Sequence, residues 1–227
     1  MSIFANPLGP IEGALWAVLI LLVASYLVGA WLNRQRSKAI GQWLQAGIGL
    51  FGGRAAWRWL KSMSAGAEVT IAETRPPFKG VQLTYFLLTR ELAPLWMIEL
   101  LRKKRDLLLI KADLRSLPPR EYEVVPLTGR LRARLDSAEG QPLEWQPLAA
   151  GLGLGTRASA GGGDLGPVRA FIDKYGVDVE RLSLRRRSPH LILYMRLGQV
   201  MDRPAEEMLR ALQKLFADGR GDGRGRG

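Results

Sequence analysis

Three features of the sequence predict an α+β protein with one N-terminal transmembrane helix followed by a cytoplasmic mixed α/β domain. The first is residues 13–32, GALWAVLILLVASYLVGAWL, an uncharged run of 20 residues. The second is a set of short alternating apolar segments, such as EVTIAE at 68–73 and GVQLTYFLL at 80–88. The third is a pair of late segments with apolar residues three and four apart. Alternation marks strands, and the spacing of three and four marks helices.

The uncharged run would be about 30 Å long as a helix, the thickness of a bilayer's hydrocarbon core. A cleaved secretory signal needs a basic start, and residues 1–12 contain no Lys or Arg; Val28-Gly29-Ala30 matches a small-residue cleavage site, but the run reads as a retained span. Trp16 and Trp31 stand near its two ends, where indole rings favour the membrane interface. No acidic residue occurs between Glu12 and Glu68, whereas six basic ones do: Arg34, Arg36, Lys38, Arg54, Arg58 and Lys61. Positive charge stays on the cytoplasmic side, so 1–12 is expected to be a short extracytoplasmic N-terminus and everything after residue 32 to be cytoplasmic.

Residues 33–62 read as a juxtamembrane region. Ile40, Trp43 and Leu44 share a helical face, and Ile48, Phe51, Ala55 and Trp59 continue at spacings of three and four. Arg54, Arg58 and Lys61 follow an adjacent stripe. Gly47, Gly49, Gly52 and Gly53 interrupt the pattern, which predicts two short amphipathic helices. Their apolar face suits either lipid, with the basic heads reaching phosphates, or the soluble domain. The membrane-interface residues expected on this reading are Trp16, Trp31, Arg34, Arg36, Lys38, Trp43, Arg54, Arg58, Trp59 and Lys61.

The cytoplasmic domain is expected over 63–218. After the strands at 68–73 and 80–88, Thr89 can cap a helix over 90–105 with Pro94 near its first turn. Strands follow at 106–114 and 121–125. Residues 136–163 are rich in Gly and Ala and predict a flexible loop. Gly151, Gly153 and Gly155 do not form GxGxxG, and no Lys-Ser/Thr follows to make a phosphate loop. Asp164 can cap a helix carrying Val168, Phe171, Ile172 and Tyr175 on one face, with Gly176 ending it. Residues 181–187 and 190–197 form a hairpin around Ser188-Pro189. A last helix begins near Asp202, has Pro204, Glu206 and Glu207 in its first turn, and buries Met208, Leu212, Leu215 and Phe216. The Gly/Arg tail at 219–227 is expected to be disordered.

Composition narrows the chemistry. The chain carries 25 Arg and 8 Lys against 21 acidic residues, a formal net charge of +12. Such a chain at a membrane suits anionic headgroups or RNA, including ribosomal RNA. The densest clusters are Arg102, Lys103, Lys104 and Arg105, then Arg185, Arg186 and Arg187. These are candidate contacts for partners or phosphates. Without cysteine there is no disulfide, thiolate metal site or thiol catalysis. His190 is the only histidine, which removes the usual His-based metal sites. Glu121 and Glu123 are the nearest approach to paired carboxylates. No catalytic, metal or cofactor residues and no small-molecule substrate are assigned, and the expectation is a non-enzyme.

The order of these pieces resembles the calumin family, coiled-coil-domain membrane proteins of the endoplasmic reticulum that belong to the PAT complex. The likeness is carried by the span followed by RQRSKAIGQW at 34–43, by GVQLTYFLLTR at 80–90, by DLLLIK at 106–111, and by the late hairpin and closing helix. The chain has neither the long acidic luminal segment nor the charged C-terminal coiled coil of that family. A short, Arg-rich, cysteine-free chain fits a prokaryotic-type relative in the plasma membrane; a eukaryotic one would sit in the endoplasmic reticulum. The resemblance implies an accessory or scaffold in membrane-protein insertion, chaperoning or biogenesis at the translocon. Its partners would be the membrane, other membrane proteins and insertion machinery. The alternative expectation is a membrane-tethered module that binds RNA, the ribosome or anionic lipid.

Overall fold

The computed structural model describes residues 9–118, 120–128, 130–138, 143–156 and 165–216. It is an α+β protein in which one long apolar helix leads into a nine-stranded antiparallel sheet. Helix α1, Pro10–Ile48, has 39 residues and so is about 58 Å long. It is long and apolar enough to cross a membrane. Its two halves differ. No residue in 11–28 is buried, whereas Gly29, Asn33, Ser37, Ile40, Leu44 and Gly47 are. These six repeat at intervals of three and four, so they form one stripe facing the domain.

The region 33–62 departs from two amphipathic helices. Its first part simply continues α1, and a short 3₁₀ turn, Gly49–Phe51, ends it. Gly52 and Gly53 then adopt φ of 62° and 76°, left-handed values that reverse the chain at no steric cost only for glycine. The next segment is strand β1, Arg54–Trp59. The misreading has a simple cause: a spacing of four fits a period of two as well as 3.6. Pairing with β2 (Gly66–Ala72) decides between them, and Arg58 lies directly opposite Glu68 with their side chains 3.0 Å apart.

Strand β3 is Phe78–Phe86, and helix α2, Ala93–Leu101, links it to β4, Leu107–Leu114. The helix expected over 90–105 is thus shorter at both ends. Pro94 occupies the first turn, where its missing N–H has no intrahelical partner to lose. Leu92, not Thr89, precedes the helix. At the other end Lys103 turns to φ 55°, and the chain leaves to place Asp106 at the head of β4. Strand β5 is Tyr122–Pro126, and helix α3 is Arg130–Ala138.

The described part of 136–163 contains more order than a flexible loop. Strands β6, Glu144–Pro147, and β7, Leu152–Thr156, pair there, and every residue of β7 is buried. The glycines that suggested a loop make room for neighbours. A Cβ at Gly155 would lie 2.9 Å from the Trp145 ring, and one at Gly153 2.4 Å from Leu127. The remainder of the expected loop, 139–142 and 157–163, and the tail at 219–227 lie outside the described residues, as does Asp164.

Helix α4, Gly166–Tyr175, buries the predicted face of Val168, Phe171, Ile172 and Tyr175. Strands β8, Val179–Leu184, and β9, Leu191–Arg196, form the late hairpin. Helix α5, Ala205–Lys214, follows a separate 3₁₀ turn at Gln199–Asp202. Met208 and Leu212 are buried, while Leu215 and Phe216 pack partly against the core.

The strand order is β1-β2-β3-β4-β9-β8-β5-β7-β6. The first four strands form a meander, and β9 joins it to the second group through β4. One face carries Val69, Leu83, Ile110, Leu193, Leu182, Val124 and Leu154 in register across the sheet, all buried. The domain half of α1 packs here: Tyr85, on this face, bonds its hydroxyl to that of Ser37 at 2.8 Å. Burial raises the Tyr85 pKa, and the bond to Ser37 offsets part of the rise. Phe78 stacks edge-to-face with Phe51 on one side and Phe216 on the other, each with centroids 5.5 Å apart. The register also defines two sheet ends. Trp59, Gly66, Phe86, Leu107 and Arg196 lie at one, and Arg54, Ala72, Phe78 and Leu114 at the other.

Candidate membrane-proximal site

The end of the sheet marked by Phe86 and Leu107 meets α1 just where the helix passes from exposed to buried. Gly29 makes this approach possible, because a Cβ there would lie 2.0 Å from the carbonyl oxygen of Arg90. One turn further on, Asn33 donates to the Leu88 carbonyl at 2.9 Å and accepts from Arg90 at 2.7 Å. Buried amide groups in such a place need both partners, and the loop between β3 and α2 supplies them.

Asp106 is the hub. It is 4% exposed and takes both oxygens to Arg90 Nη2, at 3.1 and 2.9 Å. Arg36 Nε reaches the same carboxylate at 3.3 Å, and the Leu88 backbone N–H donates to it at 2.9 Å. Arg36 also donates to the Leu197 carbonyl at 2.8 Å, while the Leu197 N–H donates to the Asp106 carbonyl at 2.7 Å. The buried charge therefore ties α1 and the β3–α2 loop to the head of β4, and Arg36 together with the Asp106 backbone carbonyl adds the end of β9. A buried carboxylate is tolerable only when paired and hydrogen-bonded in this way.

Beside this hub is a cavity of about 660 Å³ lined by Arg90, Trp96, Arg105, Asp178, Arg196 and Asp202 among others. The Trp96 indole N–H is buried without an acceptor among the described residues. Burial raises the Asp178 pKa, and nearby Arg196 offsets part of the rise.

Helix α2 buries none of its residues. Leu95, Met97, Ile98, Leu100 and Leu101 are exposed, Leu101 to 81%, and so is Leu92 just before them. Its one charged residue, Glu99, accepts from the Thr89 N–H and from Lys104. The same end of the sheet exposes Trp59, Met63 and Phe86.

The sequence-predicted interface residues separate into two groups. Trp16, Trp31, Arg34, Lys38, Arg54, Arg58, Trp59 and Lys61 are exposed. Arg36 and Trp43 turn into the domain instead, Arg36 onto Asp106 and Trp43 through its indole N–H onto the Arg203 carbonyl at 2.7 Å. The two basic clusters are not brought together. Arg102, Lys103, Lys104 and Arg105 are exposed at the end near the apolar half of α1. Arg185, Arg186 and Arg187 follow β8 at the opposite end, against a cavity of about 600 Å³ that also borders Glu121 and Glu123. Burial lowers the Arg185 pKa.

The candidate carboxylates are engaged structurally. Glu123 holds Arg181 with two bonds of 3.0 Å and accepts from Ser183, and Glu121 accepts the Arg186 N–H at 2.7 Å. His190 Nδ1 accepts the Leu114 N–H at 3.1 Å, which places a ring proton on Nε2 in the neutral form. Among the described residues no three His, Asp or Glu side chains are grouped to hold a metal.

Asp106, Arg90 and Asn33 escaped the sequence reading. Asp106 had one legible signal, a lone acid closing the run RKKRD before an apolar strand. The partners of Asn33 are 55 and 57 residues away, and no local pattern announces them. Comparison with models of known protein families finds no match, and comparison with curated proteins finds none either.

Proposed function

We propose that this is a single-span membrane protein, N-terminus outside and α+β domain in the cytoplasm, that acts without catalysis as an accessory or scaffold in membrane-protein insertion and biogenesis. The observation that carries this reading is the continuity of α1. The helix passes from its exposed apolar half into the domain core with no linker, and Asp106 clasps it there. A domain so attached cannot drift from the bilayer. It presents surfaces at a fixed height and angle, as a scaffold requires. The asymmetry of Arg34, Arg36 and Lys38 after the apolar run, against Glu12 before it, supports the orientation. The likeness to the calumin family supports the biogenesis role. The engagement of Glu123 and Asp106 as arginine partners supports the reading as a non-enzyme.

A cysteine-free chain makes the topology simple to test. Ser2→Cys should react with an impermeant thiol reagent in intact cells, and Leu117→Cys, at an exposed position in the domain, only after lysis. The reverse pattern would overturn the orientation. Crosslinking in living cells should recover multi-spanning membrane proteins or insertion machinery. Recovery of RNA instead, with a yield that falls steeply with salt, would favour the second reading. That reading rests on the exposed cluster of Arg102, Lys103, Lys104 and Arg105.

A further inference from the structure

We propose that α2 is a second membrane element, a short helix lying in the bilayer interface with its leucine, isoleucine and methionine side chains among lipid acyl chains. The inference rests on the reading of α1 as a membrane span. It begins with depth. The loop entering α2 touches α1 at Gly29, within the last turn of the uncharged run at 13–32. With 1.5 Å of rise per residue, Gly29 lies about 4.5 Å inside the end of that run. A helix starting three residues after Arg90 is therefore level with the edge of the hydrocarbon core.

The side chains fit that depth. Leu92, Leu95, Met97, Ile98, Leu100 and Leu101 face outward, the inverse of a helix folded against water. Of the charges beside the helix, Arg90 and Glu99 are drawn back onto the protein, and Glu91 before Leu92 stays partly exposed. Arg90 is spent on Asp106 and Asn33, and Glu99 on the Thr89 N–H and Lys104. Four exposed cations, Arg102, Lys103, Lys104 and Arg105, follow directly after the helix, where headgroup phosphates would lie. Trp59 and Phe86 are exposed at the same sheet end, and aromatic rings there suit the interfacial layer. Apolar side chains at the depth of the core edge, flanked by cations and rings, match a lipid surface in both chemistry and order. With α1 they give the domain two points of attachment, so it is fixed against rotation about the span.

The test uses the full chain purified and reconstituted alone into liposomes containing anionic phospholipid. Ile98→Cys and Leu101→Cys are labelled with an environment-sensitive fluorophore. Leu21→Cys serves as a control in the span and Lys79→Cys as one at the opposite sheet end. Labels at 98 and 101 should show blue-shifted emission, strong quenching by lipids carrying a nitroxide high on the acyl chain, and several-fold less quenching by aqueous iodide than the label at 79. Water-like emission at 98 and 101 with lipid quenching at 21 would overturn the inference and leave the span intact. Protection from iodide at 98 and 101 without lipid quenching would also overturn it, since a second copy would then cover the helix. Absence of lipid quenching at 21 would refute the span itself.

Discussion

The Asp106 carboxylate, at the head of β4, joins α1 and the β3–α2 loop through two arginines, and its backbone carbonyl holds the end of β9. Arg90 is 17% and Arg36 36% exposed, so the pair with Arg90 is the better shielded and the stronger. Removing the carboxylate leaves both cations without their shared partner. Asp106→Ala is expected to destabilise the domain by about 3 kcal/mol, the low end for a broken buried pair because Arg36 retains some water. That corresponds to a fall of about 6–12 °C in the thermal midpoint of a chain this size, measurable by circular dichroism in detergent. A loss below about 1 kcal/mol would show that the clasp is ornamental to stability. Arg36 also illustrates how neighbouring residues of like charge divide their work. Arg34 and Lys38 remain exposed, while Arg36, on the inward side of the helix, is a structural ligand.

At the scale of elements, α1 is shaped by two close approaches. Gly29 admits the loop before α2, and Gly47 admits α5: a Cβ at Gly47 would lie 2.9 Å from the Glu206 backbone nitrogen and 2.9 Å from Leu209 Cδ1. Gly47→Leu should therefore force α5 away from α1 and cost about 1–3 kcal/mol by overpacking. Gly13→Leu, where nothing lies within 4 Å, should leave domain stability unchanged. Denaturant titration of the two variants in detergent separates them, and equal behaviour would refute the packing argument. Gly47 reads as a helix breaker in the sequence, because intrinsic propensity penalises glycine wherever it occurs. Contact with another element reverses that sign. The same reversal explains β7, whose glycines make space for Trp145 and Leu127.

For the whole molecule, function is expected to follow from the assembled domain and its attachment to α1. Phe171 is 3% exposed and packs against the Tyr175 ring at 5.1 Å. Phe171→Asp would bury an unpaired charge, cost about 4 kcal/mol or more, and abolish the biological effect by unfolding. His190→Ala removes one hydrogen bond to Leu114 and should cost only about 1 kcal/mol, leaving the effect intact. A complementation assay with both variants, alongside their folded fractions, distinguishes the two. If His190→Ala alone ended function while the fold persisted, the scaffold reading would fail.

By itself the sequence determined the uncharged run and its flanking charges, the meander strands at 68–73 and 80–88, the late hairpin, and the buried faces of α4 and α5. Each of these rests on a period or a composition contained in one segment, so local chemistry suffices to read it. Tertiary structure alone decided the rest. The segment at 54–59 became a strand because β2 offered it a partner, and one spacing satisfied two periods until then. The Gly-rich segment at 152–156 became a buried strand because β5 and β6 flank it. Whether Ile40 and Leu44 met lipid or protein depended on the sheet face opposite them, and both are fully buried. Asp106 found its partners 16 and 70 residues away. Pairings across such distances depend on how the chain closes on itself, and no window of neighbouring residues contains them.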